Sequence, residues 1–245
     1  MPIQSKTSQR SRFYARIGTR GWRDSGYDTF AYRSAAFRRW MRAQLSAGER
    51  AILSVGCGAG ELEGELSDQD RAVIALDLSH SMLRRAARSG LCLPVQADAA
   101  LLPFGSRQFD TVMFVESIGY LDLEAVFKEA RRVLKPEGRL IVTSYPSQVD
   151  AHSGYRKWPV DQVIGCMVAS GFAVDRCQDL TIAKTRVTEA RSPRQSKLFC
   201  LSATGRGAET EHGVEEKSGS SSAPSSPALT QIGDWRSRIP GRHKG

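Results

Sequence analysis

No run of the chain approaches the roughly 18 consecutive apolar residues that a membrane span needs. The stretch "MPIQSKTSQRSRFYARIGTRGWR" has no apolar signal-peptide core, and no acid precedes Asp24. It is basic, as an organelle transit peptide would be, but it lacks regular amphipathic patterning. The five cysteines, Cys57, Cys92, Cys166, Cys177 and Cys200, are odd in number, and no two are spaced C-x-x-C. That argues against a zinc site and against a disulfide framework. Small buried thiols in a reducing cytoplasm are the expectation. No internal repeat occurs.

What is present fits one domain and a remainder. The chain has 245 residues, 40% of them hydrophobic, enough for a buried core. The net charge of +9 is uneven. In the first fifty residues Lys6, Arg10, Arg12, Arg16, Arg20, Arg23, Arg33, Arg38, Arg39, Arg42 and Arg50 face only Asp24, Asp28 and Glu49. Such a segment suits an anionic partner or serves as a solvated basic face.

Residues 1–26 read as a basic irregular segment. In "FAYRSAAFRRWMRAQL", Phe37, Trp40, Met41 and Leu45 fall at helical spacing with arginines opposite, an amphipathic helix. From residue 51, apolar runs alternate with helical patterns: "AILSV", "ELEGEL", "AVIALDL", "SHSMLRRAARSG", "LPVQADA", "FDTVMFVES", then "LDLEAVFKEARRVLKPEG". In the last, Leu123, Val126, Phe127, Ala130 and Val133 share a face, and Pro136 and Gly138 are expected to end the helix. "RLIVTSY" is a fifth strand. In "VDQVIGCMVASGF", Val160, Val163, Ile164, Met167 and Val168 share a face, with Gly171 at the end. "AVDRCQDLTIAK" and "SKLFCLSAT" form a closing strand pair. The alternation predicts an α/β fold, a doubly wound, mostly parallel sheet with helices on both faces. The domain spans 27–204. Residues 205–245, rich in Ser, Pro, Gly and charge, read as a disordered tail with Trp235 alone in it.

The three alternating glycines of "ILSVGCGAG" raise the functional question. A strand, a glycine turn and a helix present bare backbone N–H groups to a nucleotide-like ligand. Dinucleotide oxidoreductases use G-x-G-x-x-G, but the third motif position here is Glu61, whose carboxylate would repel a pyrophosphate.

The order of four motifs resembles the class I S-adenosylmethionine-dependent methyltransferases, of the small-molecule, type 11-like kind. These are "SVGCGAG"; "VIALDLS" ending in Asp77; "VQADAALLPF" with Asp98; and "FDTVMFVESIGYL…VLKPEGRLIV". The resemblance covers about residues 50–145. It implies a Rossmann-like seven-stranded sheet whose last strand is antiparallel, and S-adenosyl-L-methionine as cofactor, with no metal. It also implies a role for each matching position. Gly56, Cys57, Gly58 and Gly60 would pass under the methionine and ribose part, leaving no room for side chains at the glycines. Asp77 would accept from the ribose hydroxyls, since a carboxylate has two acceptor oxygens for a vicinal diol. Asp98 and Ala99 would meet the adenine amino group, with Leu78 and Leu102 as apolar walls. The family carries an acid two residues before the first glycine. This chain has Ser54, which bonds without charge, so weaker cofactor binding is expected.

Methyl transfer from a sulfonium asks the protein for alignment, a dry site and, for some acceptors, a base. Glu116 stands at the end of the fourth strand, near the transferred methyl in this fold, as cofactor contact and candidate base. Tyr120 follows where related patterns carry a histidine. His152, Tyr155, Tyr27 and Tyr32 are further candidates for the pocket or a lid. No Asn-Pro-Pro-aromatic motif of base-amine methyltransferases occurs. A small-molecule acceptor is the expected partner. The alternatives are an RNA methyltransferase using the basic N-terminal segment, and a non-catalytic binding or scaffold protein.

Overall fold

The computed structural model describes residues 34–68, 70–88, 90, 92–145, 156, 158–184 and 194–205. The basic segment 1–26, Tyr27, Tyr32, His152, Tyr155 and nearly all of the tail, with Trp235, lie outside the described residues. Helix α1 (Ala35–Gln44) comes first. Then follow β1 (Ala51–Val55), α2 (Glu61–Leu66), β2 (Ala72–Asp77), α3 (His80–Arg88), β3 (Leu93–Gln96) and β4 (Phe109–Val115). A 3-10 turn (Ile118–Tyr120), α4 (Leu123–Val133), β5 (Leu134–Ser144), α5 (Val160–Ala169), β6 (Phe172–Lys184) and β7 (Arg194–Gly205) complete the order.

The seven strands form one sheet in the order β3-β2-β1-β4-β5-β7-β6. The first five pair in parallel. β7 is antiparallel to both β5 and β6. The strand order reverses between β1 and β4, and in open α/β sheets a ligand crevice opens at that place, beyond the carboxyl ends of the strands.

β1 is buried along its whole length, which requires cover on both faces. Successive side chains point to opposite faces. Leu53, Val55, Val112 and Phe114 pack with Val126, Phe127 and Ala130 of α4 and Val163 and Met167 of α5. Ile52, Val73, Met113 and Ile141 pack with Phe37, Trp40 and Met41 of α1 and Leu62 and Leu66 of α2. The arginine-studded helix expected before the sheet is therefore a cover on the second face. On α5 the seam is Val163 and Met167, both fully buried, while Val168 is 41% exposed. One residue of helix is a 100° turn, which carries Val168 past the edge of that stripe.

Helix α4 starts where Asp122 accepts hydrogen bonds from the backbone N–H groups of Glu124 (3.1 Å) and Ala125 (3.3 Å). It ends at Val133, earlier than the proline suggested. Leu134 is already extended (ψ 142°), and β5 runs through Pro136 and Gly138. Proline disfavours helix at the residue before it, so the chain leaves the helix ahead of Lys135-Pro136. The register jumps from Phe109↔Leu134 to Thr111↔Arg139, so "KPEG" is accommodated as a bulge.

"FD" at the start of β4 has a structural role. The Asp110 Oδ2 accepts from the backbone N–H groups of Arg50 (3.0 Å) and Ala51 (2.9 Å), while Lys135 donates to Oδ1. Partial burial pushes the Asp110 pKa up, but Lys135 and those N–H groups outweigh it and hold it below its ordinary value. One carboxylate thus ties the starts of β1, β4 and β5 together. Asp110→Ala is expected to lower stability by about 1–3 kcal/mol at neutral pH, the cost of stranding partly buried donors. A depressed carboxyl contributes stability above its unfolded pKa and loses it as pH falls through its folded value. The deficit, read by urea unfolding, therefore shrinks toward acid.

Candidate cofactor site

The loop between β1 and α2 lies at the strand-order reversal. Gly56, Gly58 and Gly60 all have positive φ, at 75°, 57° and 72°. L side chains rarely adopt this region. Two of the glycines are also required by the protein's own packing. A Cβ at Gly56 would lie 2.5 Å from Ser117 Cβ, and one at Gly60 would lie 2.7 Å from Ala86 Cβ. Sequence reasoning assigned the missing side chains to room for a ligand, whereas at positions 56 and 60 the near neighbours are protein atoms.

The loop is laced to β2 and β4. The N–H groups of Gly56 and Cys57 both donate to Leu76 O (2.8 and 3.0 Å). The Ser117 hydroxyl donates to Val55 O at 2.8 Å, across the reversal. Gly58 N–H donates to Asp77 Oδ2 (2.9 Å), and Ser79 N–H donates to Asp77 Oδ1 (2.8 Å). Burial raises the Asp77 pKa, and these backbone N–H groups pull it back. Each carboxylate oxygen has two lone pairs. The Leu78 N–H also acts on this carboxylate, so three N–H groups share four lone pairs and acceptor capacity remains beside the loop.

Next to Asp77, Leu78 is 54% exposed, and beyond Asp98, Leu101 is 77% exposed. These are two of the three exposed large hydrophobics among the described residues. Leu102 is buried in the core instead. The exposed apolar residue of "ALLPF" is therefore Leu101, one position earlier. The loop is fixed from α4: Arg132 donates to Leu102 O (3.0 Å) and Phe104 O (2.7 Å), and Glu129 accepts from Leu102 N–H (2.7 Å). The Arg132 hydrogen bond holds the Glu129 carboxyl below its ordinary pKa. Asp98 is exposed and accepts from Ala100 N–H (2.9 Å), while Ala99 is buried.

Glu116 follows β4 with φ 55°, a strained left-handed residue, and its N–H donates to Thr143 O (2.9 Å). Tyr120 closes the 3-10 turn half-buried. Arg156 N–H donates to Gly119 O (2.7 Å), and the Trp158 indole donates to Ile118 O (3.2 Å), so the approach to α5 docks on that turn. Burial, then Glu63 and Asp77, push the Cys57 thiol well up, which leaves it protonated and inert. Cys92 and Cys200 are buried as expected, but Cys177 is exposed on β6.

Ser54 lies on the same face of β1 as Ile52, toward α2. Its hydroxyl donates to Glu63 Oε1 at 2.5 Å. Sequence reasoning passed over Glu63, although its signal was present: a glutamate in the first turn of the helix that the glycine loop opens. Burial pushes the Glu63 pKa up to about 7, against the Ser54 hydroxyl and Glu63's own N–H, which lower it.

Residues 53–142 match the model of the methyltransferase domain family. That segment is similar to a methyltransferase domain, and the sheet around it has the class I order. The class is S-adenosylmethionine-dependent, and the domain's cofactor is S-adenosyl-L-methionine. The malonyl-[acyl-carrier protein] O-methyltransferase of Enterobacter lignolyticus is 37% identical over 107 residues, 42% of this chain and 43% of that one. The demethylmenaquinone methyltransferase of Mycobacterium marinum is 32% identical over 120 residues, 46% of this chain and 51% of that one. The chain thus spans about half the length of these relatives. A solved S-adenosylmethionine-dependent methyltransferase of Thermotoga maritima superposes with a TM-score of 0.61 at 19% identity, over 80% of this chain and 99% of that one. The shared architecture is the seven-stranded sheet described above. No helix among the described residues is long and apolar enough to cross a membrane.

Beside the loop stand a carboxylate with spare acceptor capacity and two exposed leucines, Leu78 and Leu101, a set that suits a vicinal diol and a flat ring. Gly56→Ala is expected to cost about 2–4 kcal/mol, from the left-handed φ and the Ser117 contact together. Adding Ser117→Gly should return the contact part only, as read by denaturant unfolding of the double-mutant cycle. A second expectation concerns pH. A raised carboxyl pKa gives stability that is present below the unfolded value, near 4.5, and lost as pH rises through about 7. The stability of Glu63→Gln relative to wild type should therefore improve by about 2 kcal/mol between pH 5 and pH 8 in urea melts.

Proposed function

We propose that the chain is an S-adenosylmethionine-dependent methyltransferase acting on a small-molecule acceptor. The observation that carries the reading is Asp77. Backbone N–H groups of Gly58 and Ser79 each donate to one of its oxygens, Leu78 N–H acts on it as well, and with four lone pairs the carboxylate keeps acceptor capacity at the end of β2. A protein that used this loop only as scaffold would not need a half-buried carboxylate with spare acceptor capacity there. The two relatives support the acceptor class, one being named for a malonyl group on an acyl-carrier protein and the other for demethylmenaquinone.

When bound, the cofactor supplies an electrophilic methyl group on a sulfonium. The chain's own residues do the rest. Asp77 accepts from a vicinal diol, Leu78 and Leu101 offer apolar surface to a flat ring, and Asp98 offers acceptor oxygens to an amino group. Gly56–Gly60 leaves the backbone close to the ligand. Glu116 is held by β4 and the Thr143 carbonyl at the strand-order reversal, where its carboxylate takes up a proton from an oxygen, nitrogen or carbon acid. Tyr120, one turn on, lines the acceptor side.

Calorimetric titration tests the cofactor part. Wild type should bind S-adenosylmethionine and S-adenosylhomocysteine at micromolar concentration. Asp77→Ala should lose about ten- to a hundredfold, the worth of hydrogen bonds to a charged acceptor. A folded wild type that binds neither ligand would overturn the reading. Glu116→Gln should keep cofactor affinity within a few-fold and lower turnover of any acceptor whose methylated atom must lose a proton.

A further inference from the structure

Among the described residues Glu63 is the one buried carboxylate, at 2% exposure. No described ion pair includes it. A buried acid without a cation is costly, and a neutral amide of the same shape would serve the Ser54 hydroxyl equally well. Packing alone therefore gives no reason for a carboxylate at this position.

Its surroundings do give one. Glu63 sits in the first turn of the helix that starts at Gly60, directly under the glycine loop. The ionisable groups that act on it are Asp77 at the end of β2 and Glu61 on its own helix, and Cys57 of the loop is coupled to it in turn. Ser54 reaches it from β1. Among the described residues the ionisable groups that act on Glu63 and on Cys57 are acids and thiols, with no cation among them, so the loop's underside complements a cation. Ser54 occupies the position where the methyltransferase class carries its acid. The carboxylate it contacts stands nine residues downstream.

We propose that Glu63 is the acid of the glycine loop in this chain, a positioning residue that supplies from α2 the negative charge that β1 lacks at Ser54, holding the loop for a cationic cofactor. The inference rests on the functional reading above. It also resolves the departure at Ser54, because the charge has moved from strand to helix rather than being lost.

Cofactor and product distinguish this role from a packing role, since S-adenosylmethionine carries a sulfonium charge that S-adenosylhomocysteine does not. Calorimetry on the full chain at pH 6 and pH 8 would compare wild type, Glu63→Gln, Asp77→Ala and the exchange variant Ser54→Asp/Glu63→Ser, with thermal melts of each. Wild type should gain affinity for S-adenosylmethionine relative to S-adenosylhomocysteine as pH rises, because Glu63 ionises across that interval. Glu63→Gln should lose that gain and bind S-adenosylmethionine about tenfold more weakly at pH 8. It shares Asp77, Glu61, Cys57 and the ligand's own amine with wild type, so it controls for their titration. The exchange variant, with its acid back on β1, should recover most of the affinity.

Equal binding by Glu63→Gln and wild type, with the same pH profile, would overturn the proposal. So would an equal loss for both ligands that the exchange variant does not repair, or a lower melting temperature for Glu63→Gln at pH 8, since either makes the carboxylate structural. Wild type that binds neither ligand, like Asp77→Ala, would instead overturn the functional reading, and the inference with it.

Discussion

The turn at Gly56–Gly60 is the constraint on which the rest of this structure depends. Three left-handed residues in five force the chain to reverse from β1 into α2 without side chains. The reversal is held from three sides: Leu76 O and Asp77 on β2, and Ser117 after β4. Because β1 lies between β2 and β4, this lacing fixes the ends of all three strands in one place. The crevice there follows from the strand order, and the glycines let the turn pack directly against Ser117 and Ala86. The contacts that exclude side chains at Gly56 and Gly60 are internal, so this close-packed turn exists before any ligand arrives.

Around that turn the charged motif residues divide by the end of the sheet they serve. Asp110 and Lys135 work at the starts of the strands, where they fasten β1, β4 and β5. Glu129 and Arg132 project from α4 and hold the Leu102–Phe104 backbone, which leaves Leu101 outside. Neither pair touches the crevice. Both act on function through position: one sets strand register, and the other sets the loop that carries Asp98 and Leu101. Asp77 and Glu63 differ from them, being carboxylates at the crevice with no described cation beside them. Asp77 is satisfied by backbone N–H groups, and Glu63 by a hydroxyl. Such an arrangement leaves negative charge available to a ligand instead of spending it inside the protein.

Much of this was legible in the chain. Buried parallel strands require apolar runs, and amphipathic helices require the 3.6-residue stripe, so "AILSV", "AVIALDL" and the Leu123–Val133 helix declared themselves. Asp77 was picked out by the resemblance, at the end of the apolar run in "VIALDLS". Local steric rules also made the glycine turn readable. The end of α4 was less so, because proline acts on the residue before it and a bulge absorbs the four residues that follow. Val168 lies past the buried stripe of its helix, since periodicity gives a stripe and not its edges.

The sequence by itself determined the alternation of elements, the glycine turn and the residue types at the strand ends, all matters of local sterics and spacing. Only the tertiary structure decided which of those residues meet. That Glu63 faces Ser54 depends on strand pleat and helix phase together. That Asp110 reaches Arg50 and Ala51, about sixty residues away, depends on β4 pairing beside β1. Why Gly56 must be glycine depends on Ser117, which is brought there by the same pairing. Contacts between distant segments are set by sheet order, and sheet order is a property of the whole packed domain.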